Sequence, residues 1–203
     1  AMTIPAPNLY KKCGDPYKLA EFRVFSFNTC GAGCRNCFYQ KTNNNFAQFK
    51  QVLDLANELE AVGYKLETCY LQPTDVFENE FNYRIFEDEN LIQVLNRFSY
   101  VGLATTLRNG FDKSFMLKLL QQFPHLNIEM HVNVIEENLT SPDYRDFLRK
   151  QFDDLQALCG DRILINLALN TGTVFNEAQM AALKELVQNL SHDRILELNF
   201  TFL

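Results

Sequence analysis

No stretch of the 203-residue chain stays apolar over the roughly 18–20 residues that a membrane-spanning helix requires, so no span is expected. Ala1-Met2-Thr3-Ile4-Pro5 lacks the basic and apolar regions of a secretory signal. No run of Lys or Arg is present, and 19 basic against 25 acidic side chains leave a net charge of −6. That balance argues against a nucleic-acid backbone as the main partner. Repeats, linkers and low-complexity segments are likewise missing. What is there is the composition of an ordinary globular protein, 47% hydrophobic and 22% charged, in a chain long enough for one domain with a real core. Its six cysteines, in a chain read as cytoplasmic, suggest thiols or metal ligands before disulfides.

Pro5, Pro7, Gly14 and Pro16 mark residues 1–20 as an irregular leader. From residue 21 to 203 short β-type runs alternate with amphipathic helices. Strands are expected at Glu21–Phe27, Lys65–Leu71, Val101–Leu107, Ile128–Ile135, Ile163–Asn170 and Ile195–Phe202. Asn43–Asn45 offer N-caps for a helix running to about Val62, and further helices are expected at Glu89–Phe98, Asp112–Phe123, Pro142–Leu158 and Asn176–Leu190. Such alternation implies right-handed βαβ units and a parallel sheet, either open and doubly wound or part of a (β/α) barrel.

The strand patterns choose between the two. A doubly wound sheet buries both faces, so its strands should be apolar on both sides. Here Ile128, Met130, Val132 and Val134 alternate with Glu129, His131 and Asn133. In the next strand Ile163, Ile165, Leu167 and Leu169 share one face, with Asn166 and Asn170 on the other. Leu196, Leu198, Phe200 and Phe202 then oppose Glu197, Asn199 and Thr201. One face is therefore apolar and meets helices, while the other is polar and looks into a wet lumen or onto a polar ligand. A hydrated channel with nothing bound is the plain alternative to a ligand-binding lumen.

Directly after the first strand comes Cys30-Gly31-Ala32-Gly33-Cys34-Arg35-Asn36-Cys37-Phe38-Tyr39. Three thiolates on one loop can each take a corner of a cubane iron–sulfur cluster, leaving one iron open to an exogenous nitrogen and oxygen ligand. Structural zinc would need a further Cys or His from elsewhere, because a second cysteine pair is missing. An electron-carrier cluster would need a fourth thiolate, for which Cys13 is the candidate. Cys69 and Cys159 read as small buried side chains. His125 and His192 read as solvent-facing.

The Cys-x3-Cys-x2-Cys spacing after strand one of a βα series resembles the radical S-adenosylmethionine superfamily. The resemblance spans about residues 20–203, though its specific part is the single loop. It implies that Cys30, Cys34 and Cys37 hold a [4Fe-4S] cluster and that S-adenosylmethionine chelates the open iron. Reductive cleavage then yields a 5′-deoxyadenosyl radical that abstracts hydrogen from substrate. The implied fold is a partial (β/α)6 TIM-like barrel, a curved parallel sheet with outer helices. Asn36 stands where the family usually has an aromatic residue; Phe38 and Tyr39 follow at once and are candidates for the adenine region. Leu71-Gln72-Pro73-Thr74-Asp75 stands where the family often has Gly-Gly-Glu, so Gln72, Thr74 and Asp75 are alternatives for the cofactor's amino group. His131 and Asn133 fall where the family contacts ribose or carboxylate, and Asn166, Asn170 and Asn199 where it meets adenine or substrate. A peptide, protein or small metabolite is the implied substrate class, with a flavodoxin or ferredoxin type of electron donor. Because the apolar face of the last strand has no helix after it, a further C-terminal segment, the leader or another chain is expected to cover it.

Overall fold

The computed structural model describes residues 18–25, 48–72, 75–78, 80–171, 175–188 and 195–200. Among these residues six strands alternate with five α-helices: β1 Leu19–Phe25, α1 Phe49–Ala61, β2 Lys65–Gln72, α2 Glu89–Leu95, β3 Tyr100–Thr105, α3 Lys113–Gln122, β4 Asn127–Asn133, α4 Pro142–Cys159, β5 Ile163–Thr171, α5 Glu177–Gln188 and β6 Ile195–Phe200. The strands form one parallel sheet in the order β1-β2-β3-β4-β5-β6. Each strand thus adds to the edge its predecessor left open, and every helix crosses on the same side.

The expected helices start where side chains can cap them. The Asp88 carboxylate accepts from Asn90 and Leu91 N–H at 2.9 and 3.2 Å, and Asp112 accepts from Phe115 N–H at 2.8 Å. Asn176 and Gln179 bond reciprocally, side chain to backbone N–H, at 2.8 and 3.0 Å, which is the capping-box arrangement. Helix α1 ends into Gly63, whose φ of +93° no β-carbon favours.

Four local features differ from the sequence reading. Residues Glu80–Glu87 form a 3-10 helix where only a loop was expected. Strand β3 stops at Thr105, because Thr106 is drawn to Asp75 and Leu107 takes φ +52°. Strand β4 stops at Asn133; the Ile135 N–H donates instead to the Tyr144 hydroxyl of α4, at 2.9 Å. The sheet also begins at Leu19, so the end of the expected leader already belongs to β1.

A single hydrophobic core lies between one face of the sheet and the helices. Phe22, Cys69, Val101, Ile128 and Ile163 form one row across the register, and Val24, Leu71, Leu103, Met130 and Ile165 the next. Ala56 of α1, Leu91 of α2, Met116 of α3, Phe152 of α4 and Leu186 of α5 pack into this same cluster, each essentially without exposure. The expected one-sided apolar pattern is therefore what holds the layers together: burial at about 25 cal/mol per Å² acts on one sheet face only. Cys69 and Cys159 are buried here as expected, and burial pushes the Cys69 thiol up to about 12.

Candidate functional site

The opposite face is built from the alternate residues of the same strands. Register places Arg23 beside Tyr70, Tyr70 beside Gly102, Gly102 beside Glu129, and His131 beside Asn166. Four strands thus deliver one polar cluster. Glu129 is its hub. It accepts from the Tyr70 hydroxyl at 3.3 and 3.2 Å and from Asn166 Nδ2 at 2.7 Å, and His131 Nε2 lies 3.2 Å from its Oε1. The Tyr70 and His131 rings meet edge to face at 5.3 Å, and the Arg23 guanidinium carbon sits 5.1 Å over the Tyr70 ring.

Burial, then the negative charges of Glu129 and Glu21, raise the Tyr70 hydroxyl well above the usual tyrosine value, with Arg23 offsetting part of this. Tyr70 therefore stays protonated and donates. Asn166 is 1% exposed, and its Oδ1 has no hydrogen-bond partner among the described residues. Such a buried acceptor costs about 1–3 kcal/mol unless a donor arrives. Gly102 makes the arrangement possible. A β-carbon there would lie 2.1 Å from Tyr70 Cδ1, so only glycine lets the ring lie flat over β3.

Of the residues singled out in the sequence, His131 and Asn166 fall in this cluster, and Asn133 lies half-buried two positions beyond His131 on the same face. Asn170 and Asn199 are directly opposed across β5 and β6, and Gln72 closes β2; the backbone alone is described for these three. Asp75 is buried and already committed to protein donors: Phe77 N–H at 3.0 Å, Thr106 N–H at 2.9 Å and Thr106 Oγ1 at 2.8 Å. Its carbonyl also accepts from Asn82 Nδ2 at 2.8 Å. Asp75 thereby ties the segment after β2 to the one after β3. Cys30, Cys34, Cys37, Phe38, Tyr39 and Thr74 lie outside the described residues. Among the described residues no group of three or more His, Cys, Asp or Glu side chains could hold a metal ion. None of their helices is long and apolar enough to cross a membrane.

Sequence reasoning missed Tyr70, Arg23 and Gly102. The signal was present in the alternation of Tyr70 with Cys69 and Leu71, but an irregularity early in β2 obscures its phase. No protein-family model matches the chain, and no curated protein sequence matches it.

Proposed function

We propose that the chain is a radical S-adenosylmethionine enzyme whose sheet is a partial (β/α)6 barrel. The observation that supports this best is the polar cluster of Tyr70, Glu129, His131 and Asn166. It lies on the face of a sequentially ordered parallel sheet that carries no helix among the described residues, the inner face in a barrel. Strand β1 ends at Phe25 on the carboxyl edge of that sheet, the edge where βα active sites gather, and Cys30, Cys34 and Cys37 follow it in the sequence.

The bound cofactor would supply a 5′-deoxyadenosyl radical for hydrogen abstraction. The chain's own residues do the rest. Cys30, Cys34 and Cys37 would hold the cluster as thiolates. Asn166 Oδ1 can accept from an amino or hydroxyl group, so the donor-rich S-adenosylmethionine fits the unsatisfied atom of the site. Glu129, kept in place by Tyr70 and Asn166, orients His131 and holds negative charge where a cationic sulfonium cofactor is favoured. A peptide, protein or metabolite would be the substrate and a flavodoxin or ferredoxin the electron source.

Anaerobic reconstitution with iron and sulfide tests the proposal. The protein should take up about four iron per chain. It should release 5′-deoxyadenosine when reduced with S-adenosylmethionine. The triple variant Cys30→Ala, Cys34→Ala, Cys37→Ala should lose both. Iron retained by that variant, or a cluster that forms without any cofactor cleavage, would sink the reading; the latter would point to electron transfer.

A further inference from the structure

One extra residue in β2 decides where Arg23 sits. Leu19 pairs with Lys65 and Ala20 with Leu66, but Glu21 already pairs with Thr68. Unbroken pairing from Leu19 would set Arg23 beside Cys69, a core residue. The extra residue sets it beside Tyr70 instead. Arg23 thereby joins the polar face, in the row that runs through Tyr70 and Gly102 to Glu129.

Its charge is held there without a counter-charge. The side chain is exposed, and among the described residues no carboxylate lies within ion-pair distance of it. Glu129 stands three strands away, about 14 Å at ordinary strand spacing, and takes its hydrogen bonds from Tyr70 and Asn166. What Arg23 has is the Tyr70 ring, 5.1 Å from its guanidinium carbon. A phenol that donates to a carboxylate gains negative charge on its ring, so the Glu129 bond strengthens the attraction for the cation above. The ring is also fixed. Its hydroxyl is tied to Glu129, and the bare Cα of Gly102 is fitted to its edge. Contact with a ring uses the guanidinium's face and leaves its in-plane N–H donors free.

The ligand class follows from that arrangement. A guanidinium offers a rigid fork of donors and no acceptor, which matches the paired oxygens of a carboxylate or phosphate. An amine or a metal ion would be repelled. The acceptors of the face lie elsewhere: Asn166, beside His131, is on β5, one row nearer the carboxyl edge. Those acceptors suit a cationic, donor-rich group, and Arg23 suits the opposite charge. We propose that Arg23, propped on Tyr70, holds a carboxylate or phosphate group of the substrate, a ligand separate from the cofactor. That this ligand is a substrate rests on the radical-enzyme reading; the oxyanion site itself does not.

NMR titration of the iron-free full chain tests the site, with inorganic phosphate and acetate as probes at constant ionic strength, so that general screening is the same throughout. The Arg23 Nε–Hε signal should shift saturably with at least one of them. Arg149, already paired with Asp146, should not respond. Arg23→Gln, at an exposed position that folding tolerates, should weaken binding roughly tenfold or more, followed at the Tyr70 backbone amide. Arg23→Lys should fall between, because it keeps the charge and loses the fork. In reconstituted protein, S-adenosylmethionine should not displace the probe. No saturable shift with either oxyanion, an equal shift at Arg149, unchanged affinity in Arg23→Gln, or displacement by S-adenosylmethionine would each overturn the proposal. A cluster that fails to form counts against the radical-enzyme reading alone, since the titration needs no iron.

Discussion

Gly102→Ala is the sharpest probe of the lumen cluster. The added β-carbon would fall 2.1 Å from Tyr70 Cδ1, 2.7 Å from Cε1 and 3.0 Å from Cγ. Ordinary contact begins near 3.4 Å, so the ring must retreat by about 1.3 Å, the difference between 3.4 and 2.1 Å. The atoms struck include the root of the ring, so no simple swing of a flexible tip relieves them. The Tyr70–Glu129 bonds are already 3.2 and 3.3 Å, and a shift of that size breaks them. Overpacking costs about 1–3 kcal/mol, and losing a hydrogen bond to a charged acceptor about 1.5–3 kcal/mol. Against this, alanine recovers roughly 0.5–1 kcal/mol over glycine in an extended strand. The expected net destabilisation is about 1.5–5.5 kcal/mol, read from urea unfolding followed by circular dichroism. The decisive measurement is the double-mutant cycle. In a Tyr70→Ala background the ring is gone, and Gly102→Ala should become neutral or slightly stabilising. If Gly102→Ala costs the same in both backgrounds, within about 0.5 kcal/mol, the steric and hydrogen-bond reasoning is refuted.

Asp75→Ala strips three donors of their acceptor and should destabilise by about 2–4 kcal/mol in urea unfolding, with Thr106→Val costing less; a stable Asp75→Ala protein that merely loses cofactor affinity would show the tie to be unimportant. The Cys69 thiol, raised from 9.0 to about 12 by burial, stays protonated in the folded chain while an unfolded thiol ionises. Its contribution is therefore complete below about pH 9 and lost as pH rises from 9 towards 12. Between those limits the wild type should lose stability more steeply than Cys69→Ala, and parallel curves would contradict the burial effect. In reconstituted protein, His131→Ala and Asn133→Ala should each weaken S-adenosylmethionine binding several-fold, as losing hydrogen bonds worth roughly 0.5–1.5 kcal/mol requires. Unchanged cofactor titrations monitored by EPR would place both outside the cofactor's contacts.

The strands and helices were legible because period two and period 3.6 are local properties of a chain. Ile128 to Val134 and Ile163 to Leu169 show their apolar face without reference to any neighbour. The one-sided burial that follows from those patterns appears in the core as expected. The same local view could not find the 3-10 helix at Glu80–Glu87, whose Asn82 side chain donates to the Asp75 carbonyl. It also offered Asp75 as a cofactor contact, because nothing in the sequence reveals that Thr106 and Phe77 fold back onto it.

What the sequence determined by itself is the alternation of six strands with five helices, the apolar and polar faces of β4, β5 and β6, and the cysteine loop after β1. The tertiary structure alone decided which polar residues meet. Register is a non-local quantity, and a slip of one residue inverts a strand's faces. The extra residue in β2 is such a slip: it keeps Leu66 and Cys69 together in the core, leaves Glu67 without a partner in β1, and sets Tyr70 over Gly102 within reach of Glu129. Pairing across the sheet, with burial enforcing its phase, brings Tyr70, Glu129, His131 and Asn166 together from three strands far apart in sequence.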